Sequence, residues 1–276
     1  MTSTLTDRAA LLRQRSRALA GNRSGNTAMF LHEAAINEVH DRLDMVNKSF
    51  TAPAIVTGWP AQWQGVIEGA TVVPDDETLA LEPGAHDLVV HAMSMHWAND
   101  PVGQLIQSRR ALRPDGLFLG VMPGGTTLHE LRASLAQAEA EVSGGLSPRV
   151  APTGEVRELG GILQRAGMTL PVVDSVPLVA SYASMTALMH DLRDMGEGNA
   201  MQARPRHFAR RAIFDRAARI YSDTFGIGDG RITATYDLIF LTGWSPDASQ
   251  PQPLRPGSAK TRLADALGTN ETPLRD

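Results

Sequence analysis

The chain has 276 residues, of which 42% are hydrophobic and 20% charged, the balance of an ordinary globular protein with a full core. Its net charge of -4 leaves no basic footprint for nucleic acid, and zero cysteines exclude disulfides, thiolate nucleophiles and cysteine-held metal centres. No apolar run approaches the roughly 18 residues that a membrane span needs.

In chain order, residues 1–26 carry Arg8, Arg13, Arg15, Arg17 and Arg23 against a single acid, Asp7. Two readings fit: an Arg-rich, acid-poor transit peptide, or a basic helix with a solvated face that could meet an acidic partner. From Thr27 to Lys48 the residues Leu31, Ala35, Val39, Leu43 and Val46 recur as one helical stripe. His32 and His40 lie near its edge and are read as ordinary histidines, since their spacing makes no metal pair. Pro53 to Pro60 reads as a strand running into a turn that holds one glycine, Gly58, followed at once by Trp59 and Pro60. A shortened segment, Ala61 to Ala70, leads to TVVPDDETLAL, a strand ending in Asp75 and Asp76. A turn rich in Pro and Asp is the alternative there.

The stretch His86 to Gly125 organises the rest. Leu88-Val89-Val90 is too short for a helix and reads as a buried strand. Asp100-Pro101 supplies an N-cap and a proline at the first helical position, and Val102, Leu105, Ile106 and Leu112 follow at helical spacing. Arg113-Pro114-Asp115-Gly116 stops that helix, and Leu117 to Met122 form a second buried strand. This is a β-α-β unit whose strands are apolar throughout, as strands covered on both faces must be. His91, Met93, His96 and Trp97 fall at the C-terminal end of its first strand, where open α/β sheets bind ligands. His96 is the candidate proton carrier or substrate contact; a packing role for His96-Trp97 is the alternative. His91 and His96 with Asp87 or Asp100 lack any metal-site signature, so no metal is expected.

Thr127 and Glu130 have capping-box spacing ahead of a helix with Leu128, Leu131, Leu135 and Val142, which Gly144-Gly145 end. Ser147 to Thr153 is a loop, Val156, Leu159 and Leu163 mark a helix stopped by Gly167, and Leu170 to Tyr182 is extended. Met185, Leu188, Met189 and Leu192 form a short helix with its methionines as core filler. Gly196-Glu197-Gly198-Asn199 is a polar loop, Arg206 to Phe225 an arginine-rich helix, and DGRITATYDLIFLTGW a strand by its alternation. The tail from Ser245 holds five prolines, Pro246, Pro251, Pro253, Pro256 and Pro273, and reads as extended.

Two sets of motifs resemble known proteins. DLVVHAMSMHWANDPVGQLIQSRRALRPDGLFLG is similar to the fourth strand, following helix and fifth strand of class I S-adenosylmethionine-dependent methyltransferases. GGTTLHELR, MGEGN and ATYDLIFLTGW resemble the family of the mitochondrial complex I assembly factor described as an arginine hydroxylase, with its bacterial relatives. The resemblance runs from Leu5 to about Gly268. It implies an α/β, Rossmann-like class I methyltransferase fold with a mostly parallel sheet and an antiparallel last strand. It implies S-adenosylmethionine as cofactor, with Thr57 and Gly58 at the cofactor turn, Asp75 or Asp76 at the adenine, and His91 and Met93 beside them. His96 would be catalytic, and Trp97, Glu197 and Asn199 would face a substrate, a protein or a complex I subunit. The organisation expected is an N-terminal helical segment (1–50), a methyltransferase-like domain (51–245) with a helical insertion at about 184–226, and the tail (246–276).

The sequence departs from the family at the cofactor. Of the usual D-x-G-C-G-x-G turn only Gly58 remains, and no apolar strand precedes Glu68, the one acid placed to hold ribose. Each loss could cost about 1–3 kcal/mol, together roughly 10- to 10⁴-fold in affinity. Three functions follow: an active enzyme on a protein arginine with an eroded cofactor loop; a non-catalytic assembly or binding module; or a small-molecule methyltransferase of the biotin-synthesis type. The expected location is the cytoplasm of a bacterium or the mitochondrial matrix of a eukaryote.

Overall fold

The structure, a computed structural model, describes residues 4–21 and 29–251, with isolated positions at 261, 265, 267 and 268. Met1–Pro246 form one compact unit and Asp247–Asp276 a second. In the second, Asp247 Oδ1 accepts from the Ser249 amide and hydroxyl, at 2.8 and 2.6 Å. The extended course expected for the tail falls mostly outside the described residues.

The elements in chain order are α1 (Arg8–Gly21), α2 (Phe30–Met45), β1 (Pro53–Thr57), α3 (Pro60–Trp63), β2 (Thr71–Pro74) and β3 (His86–Ala92). Then come α4 (Pro101–Ala111), β4 (Leu112–Gly124), α5 (His129–Ser143), α6 (Val156–Arg165), β5 (Thr169–Tyr182) and α7 (Met185–Asp194). The chain continues with α8 (Arg211–Phe225), β6 (Gly226–Ile227) and β7 (Arg231–Trp244). One sheet takes the order β2-β1-β3-β4-β7-β5, with β6 paired to β7. Strands β2, β1, β3 and β4 are parallel, and β7 lies antiparallel between β4 and β5. This is the Rossmann-like, mostly parallel sheet with an antiparallel last strand that the motifs imply. The segment TVVP pairs directly with β1, so two strands, not three, precede β3 on that side.

Strands β1 and β3 and the second half of β4 are buried on both faces because their side chains alternate between two cores, while β5 at the sheet edge has no fully buried residue. Ile55, Leu88, Val90, Leu119, Leu238 and Phe240 join Leu31, Val39, Leu131, Leu135, Leu188 and Ile220, so α2, α5, α7 and α8 cover one face. Ala54, Val56, Val89, Phe118, Ile239 and Leu241 join Leu105, Leu159 and Leu163, so α4 and α6 cover the other.

Three local expectations change. Arg113–Gly116 is an excursion within β4 and not a plain stop: His86 pairs with Leu112 and Leu88 already with Leu117. Thr127 and Glu130 do not close a capping box. Leu128 takes φ 54° before α5, Glu130 Oε1 accepts from the Thr235 amide (3.0 Å), and Thr127 Oγ1 accepts from the Asp237 amide (2.9 Å). Both side chains are drawn to β7, whose amides offer partners that the helix end would otherwise supply. The arginine-rich helix starts at Arg211, with Arg210 extended as its N-cap and no side-chain cap.

Candidate functional site

The C-terminal ends of β1, β2 and β3 come together under α1, and here the sequence places chemistry that no local pattern reveals. Arg8 and Arg15 stand seven apart, two turns of one helix face. They point inward to Asp75, just past β2. Arg15 Nη1 and Nη2 bond its two carboxylate oxygens at 2.8 and 2.9 Å, and Arg8 adds contacts of 2.8 and 3.2 Å. Arg15 is only 4% exposed, so this face of the helix is not solvated. Burial, the largest single influence, pushes the Asp75 carboxyl up, but the two guanidiniums outweigh it and hold it below the usual carboxylate range.

Gly58 ends β1 beneath the same guanidinium. A Cβ there would lie 2.1 Å from Arg15 Cζ, so the glycine admits the chain's own arginine to the turn. Thr57 is fully buried, and its Oγ1 accepts from the Trp59 amide at 3.1 Å. Trp59 is buried edge-on to His32, whose Nδ1 accepts from Trp63 Nε1 at 3.0 Å. Burial lowers the His32 pKa to about 4. On its other side Trp59 meets Gly196, where φ is +74° and a Cβ would lie 2.5 Å from Trp59 Cζ2. Gly196→Ala is therefore expected to lose about 1–3 kcal/mol, seen as a lower urea midpoint at constant m value.

The other residues named from the sequence separate into two clefts that share Trp97. A polar cleft of about 260 Å³ is lined by Arg8, Asp75, His91, Ser94, Trp97 and Gln104 among others. His91 is buried there, with Nε2 3.1 Å from Gln104 Oε1, and burial lowers its pKa to about 4. Met93 does not face either cleft: it has φ 50° and its side chain lies in the core that covers β1 and β3. Asp76 is exposed and only grazes Arg8, at 3.3 Å. Glu68 is exposed ahead of β2, far from a strand's C-terminal end.

The larger cleft, about 350 Å³, lies on the α5 side and is mainly apolar, with Leu131, Leu135, Phe214 and Tyr236 in its wall. His96, Trp97, Glu197 and Asn199 line it too. One oxygen, Glu197 Oε2, takes both His96 Nε2 (3.0 Å) and Trp97 Nε1 (2.8 Å). A carboxylate can only accept here, so His96 donates through Nε2; Nδ1 is buried with no partner among the described residues. Burial pushes the Glu197 carboxyl up, yet His96, Arg15 and the Trp97 bond together bring it below its ordinary value. Asn199 is engaged structurally: Nδ2 donates to the Pro148 carbonyl (2.9 Å) and Oδ1 accepts from the Met201 amide (3.0 Å). Met189 also lines this cleft, so that methionine is more than filler. Neither Asp87, which caps Thr51 and Ala52, nor Asp100, which caps α4, meets a histidine. Among the described residues no cluster of histidine and carboxylates could hold a metal.

The residues around Gly58 do not fit S-adenosylmethionine. The acid past β2 is spent on two arginines, one guanidinium covers the turn, and Trp59 occupies the space beside it. The sequence signal for this was the Arg8/Arg15 spacing, and it is silent about where a helix face points.

No family model matches the chain. It is 40% identical over 199 residues to the mitochondrial arginine-hydroxylase NDUFAF5 of Danio rerio, covering 72% of this chain and 62% of that protein. It is 37% identical over 227 residues to the Homo sapiens arginine-hydroxylase NDUFAF5, covering 80% and 64%. A malonyl-[acyl-carrier protein] O-methyltransferase of Laribacter hongkongensis is 34% identical over 188 residues, covering 68% and 61%. The chain thus spans about three fifths of the length of these relatives. Among solved structures, a putative methyltransferase from Bacillus halodurans C-125 aligns with a TM-score of 0.49 at 12% identity, over 77% of this chain and 99% of that one.

Proposed function

We propose that this chain, 40% and 37% identical over part of its length to two NDUFAF5 arginine-hydroxylases, is a protein-binding module that offers the larger cleft to a partner and has given up the cofactor. The observation that carries the reading is Arg15, seated over Gly58 and bonded through both terminal nitrogens to Asp75. A protein segment would lie in the cleft beside His96, Trp97 and Glu197, and the motif resemblance points to a subunit of respiratory complex I. Helices α1 and α2 serve as cover, with Gln14 of α1 and Leu31 of α2 lining the same cleft. The cytoplasm of a bacterium, or the mitochondrial matrix of a eukaryote, is the setting that goes with this partner.

Calorimetry with S-adenosylmethionine and S-adenosylhomocysteine tests the reading. No heat of binding is expected at millimolar ligand, while a micromolar Kd would sink it. An enzyme on a protein arginine is the second reading, supported by the cleft beside the His96–Glu197 pair. It requires α1 to leave Asp75, and micromolar cofactor binding would put it first. Capture of complex I subunits from a lysate distinguishes neither reading but identifies the partner of both.

A further inference from the structure

The larger cleft leaves few of its polar groups free. Arg149 Nε and Nη2 donate to the Glu139 carboxylate at 3.1 and 2.6 Å. Thr127 Oγ1 is held by Asp237, Thr153 Oγ1 donates to the Gly125 carbonyl at 2.7 Å, and the Tyr236 hydroxyl lies 3.1 Å from that of Tyr182. His96, Trp97 and Asn199 have the partners given above. Two lining side chains make no hydrogen bond among the described residues, Gln14 of α1 and Arg193 of α7.

These two belong to helices that pack on each other. Arg193 is exposed in the last turn of α7 and pairs with no carboxylate among the described residues. The charge of the lining is one-sided as well: two arginines, Arg149 and Arg193, against one carboxylate, Glu197. That carboxylate already takes His96 and Trp97 and faces the Arg15 cation, which leaves it little attraction for another. An incoming guanidinium would also be repelled by Arg149 and Arg193. Between these groups the walls are Leu131 and Leu135 of α5, Met189 and Leu192 of α7, and Phe214 of α8. An apolar side chain laid against them leaves water without stranding a polar group.

We propose that the larger cleft takes an apolar side chain of its partner with a carboxylate beside it, an acidic and apolar peptide segment, and rejects an arginine. The apolar chain lies between α5, α7 and α8, and the carboxylate accepts from Arg193, with the Gln14 amide as a second donor. This deepens, and rests on, the reading of the chain as a protein-binding module.

The test is fluorescence polarisation of the full chain with three dye-labelled hexapeptides that differ only in the residues flanking a Leu-Phe pair: Asp, Asn or Arg. The Asp peptide is expected to bind about threefold tighter than the Asn peptide, and the Arg peptide more weakly than either. Arg193→Glu should weaken the Asp peptide by about tenfold and invert the order, so that the Arg peptide binds best. Loss of a merely structural side chain would not invert it. Phe214→Ala should weaken all three by about tenfold and keep their order. Arg193 is exposed, so Arg193→Glu should keep its thermal midpoint, and the inversion carries the test even where Phe214→Ala loses stability. The inference is overturned by an Arg peptide that binds as well as the Asp peptide, by no binding of the Asp peptide at millimolar concentration, or by an order that Arg193→Glu leaves unchanged. No cofactor enters these measurements, so cofactor calorimetry can refute the module reading separately from the cleft's preference.

Discussion

Asp75→Ala is expected to lower folding stability by about 3–5 kcal/mol, because it strands the buried Arg15 guanidinium without its counter-charge. Urea denaturation would show a much lower midpoint. The double variant Arg15→Leu/Asp75→Leu should fall well short of the summed single losses, since it removes both charges from the interior. Additive losses would mean that the pair is not the unit described here. The pH dependence has a definite sign. The Asp75 carboxyl is held below its unfolded value, so its contribution is fully present above about pH 4–5 and is lost as pH falls below that.

Glu197→Ala is expected to cost about 2–4 kcal/mol and to abolish binding of a partner in the larger cleft. One carboxylate oxygen satisfies two donors there, and its loss leaves the buried Trp97 indole N–H unpaired and frees the His96 ring to turn. Glu197→Gln keeps an acceptor oxygen and should recover most of the stability. If it also recovers partner binding, Glu197 serves to position His96 and Trp97; if binding stays lost, the negative charge itself meets the partner. The Glu197 carboxyl is likewise lowered, so its share of stability also disappears as pH drops through the acid range.

The role of α1 follows from these two sites together. Its inner face reaches Asp75 through Arg8 and Arg15, its start is tied to the loop after α7 through Asp7, and Gln14 lines the larger cleft. A segment that composition marks only as basic thereby closes the C-terminal end of the parallel strands, where open α/β sheets bind ligands. Its arginines serve as internal counter-ions for an acid that would otherwise be buried alone.

What the sequence by itself determined is local. The apolar run Leu88–Val90, the Asp100-Pro101 cap, the Gly144 stop and the alternating last strand all appear where their spacing puts them, because strand and helix periods are properties of neighbouring residues. The motifs around His96, Gly196 and Tyr236 also carried the resemblance to the arginine-hydroxylases, to two of which the chain is 40% and 37% identical. Only the tertiary structure decided the site. Arg15 meets Asp75 across 60 positions and His96 meets Glu197 across 101, and no pattern in a window of residues encodes such pairs. The same cause moved Thr127 and Glu130 from a helix cap to β7: a side chain takes the partner that packing brings within reach, and packing brings together what the chain keeps apart.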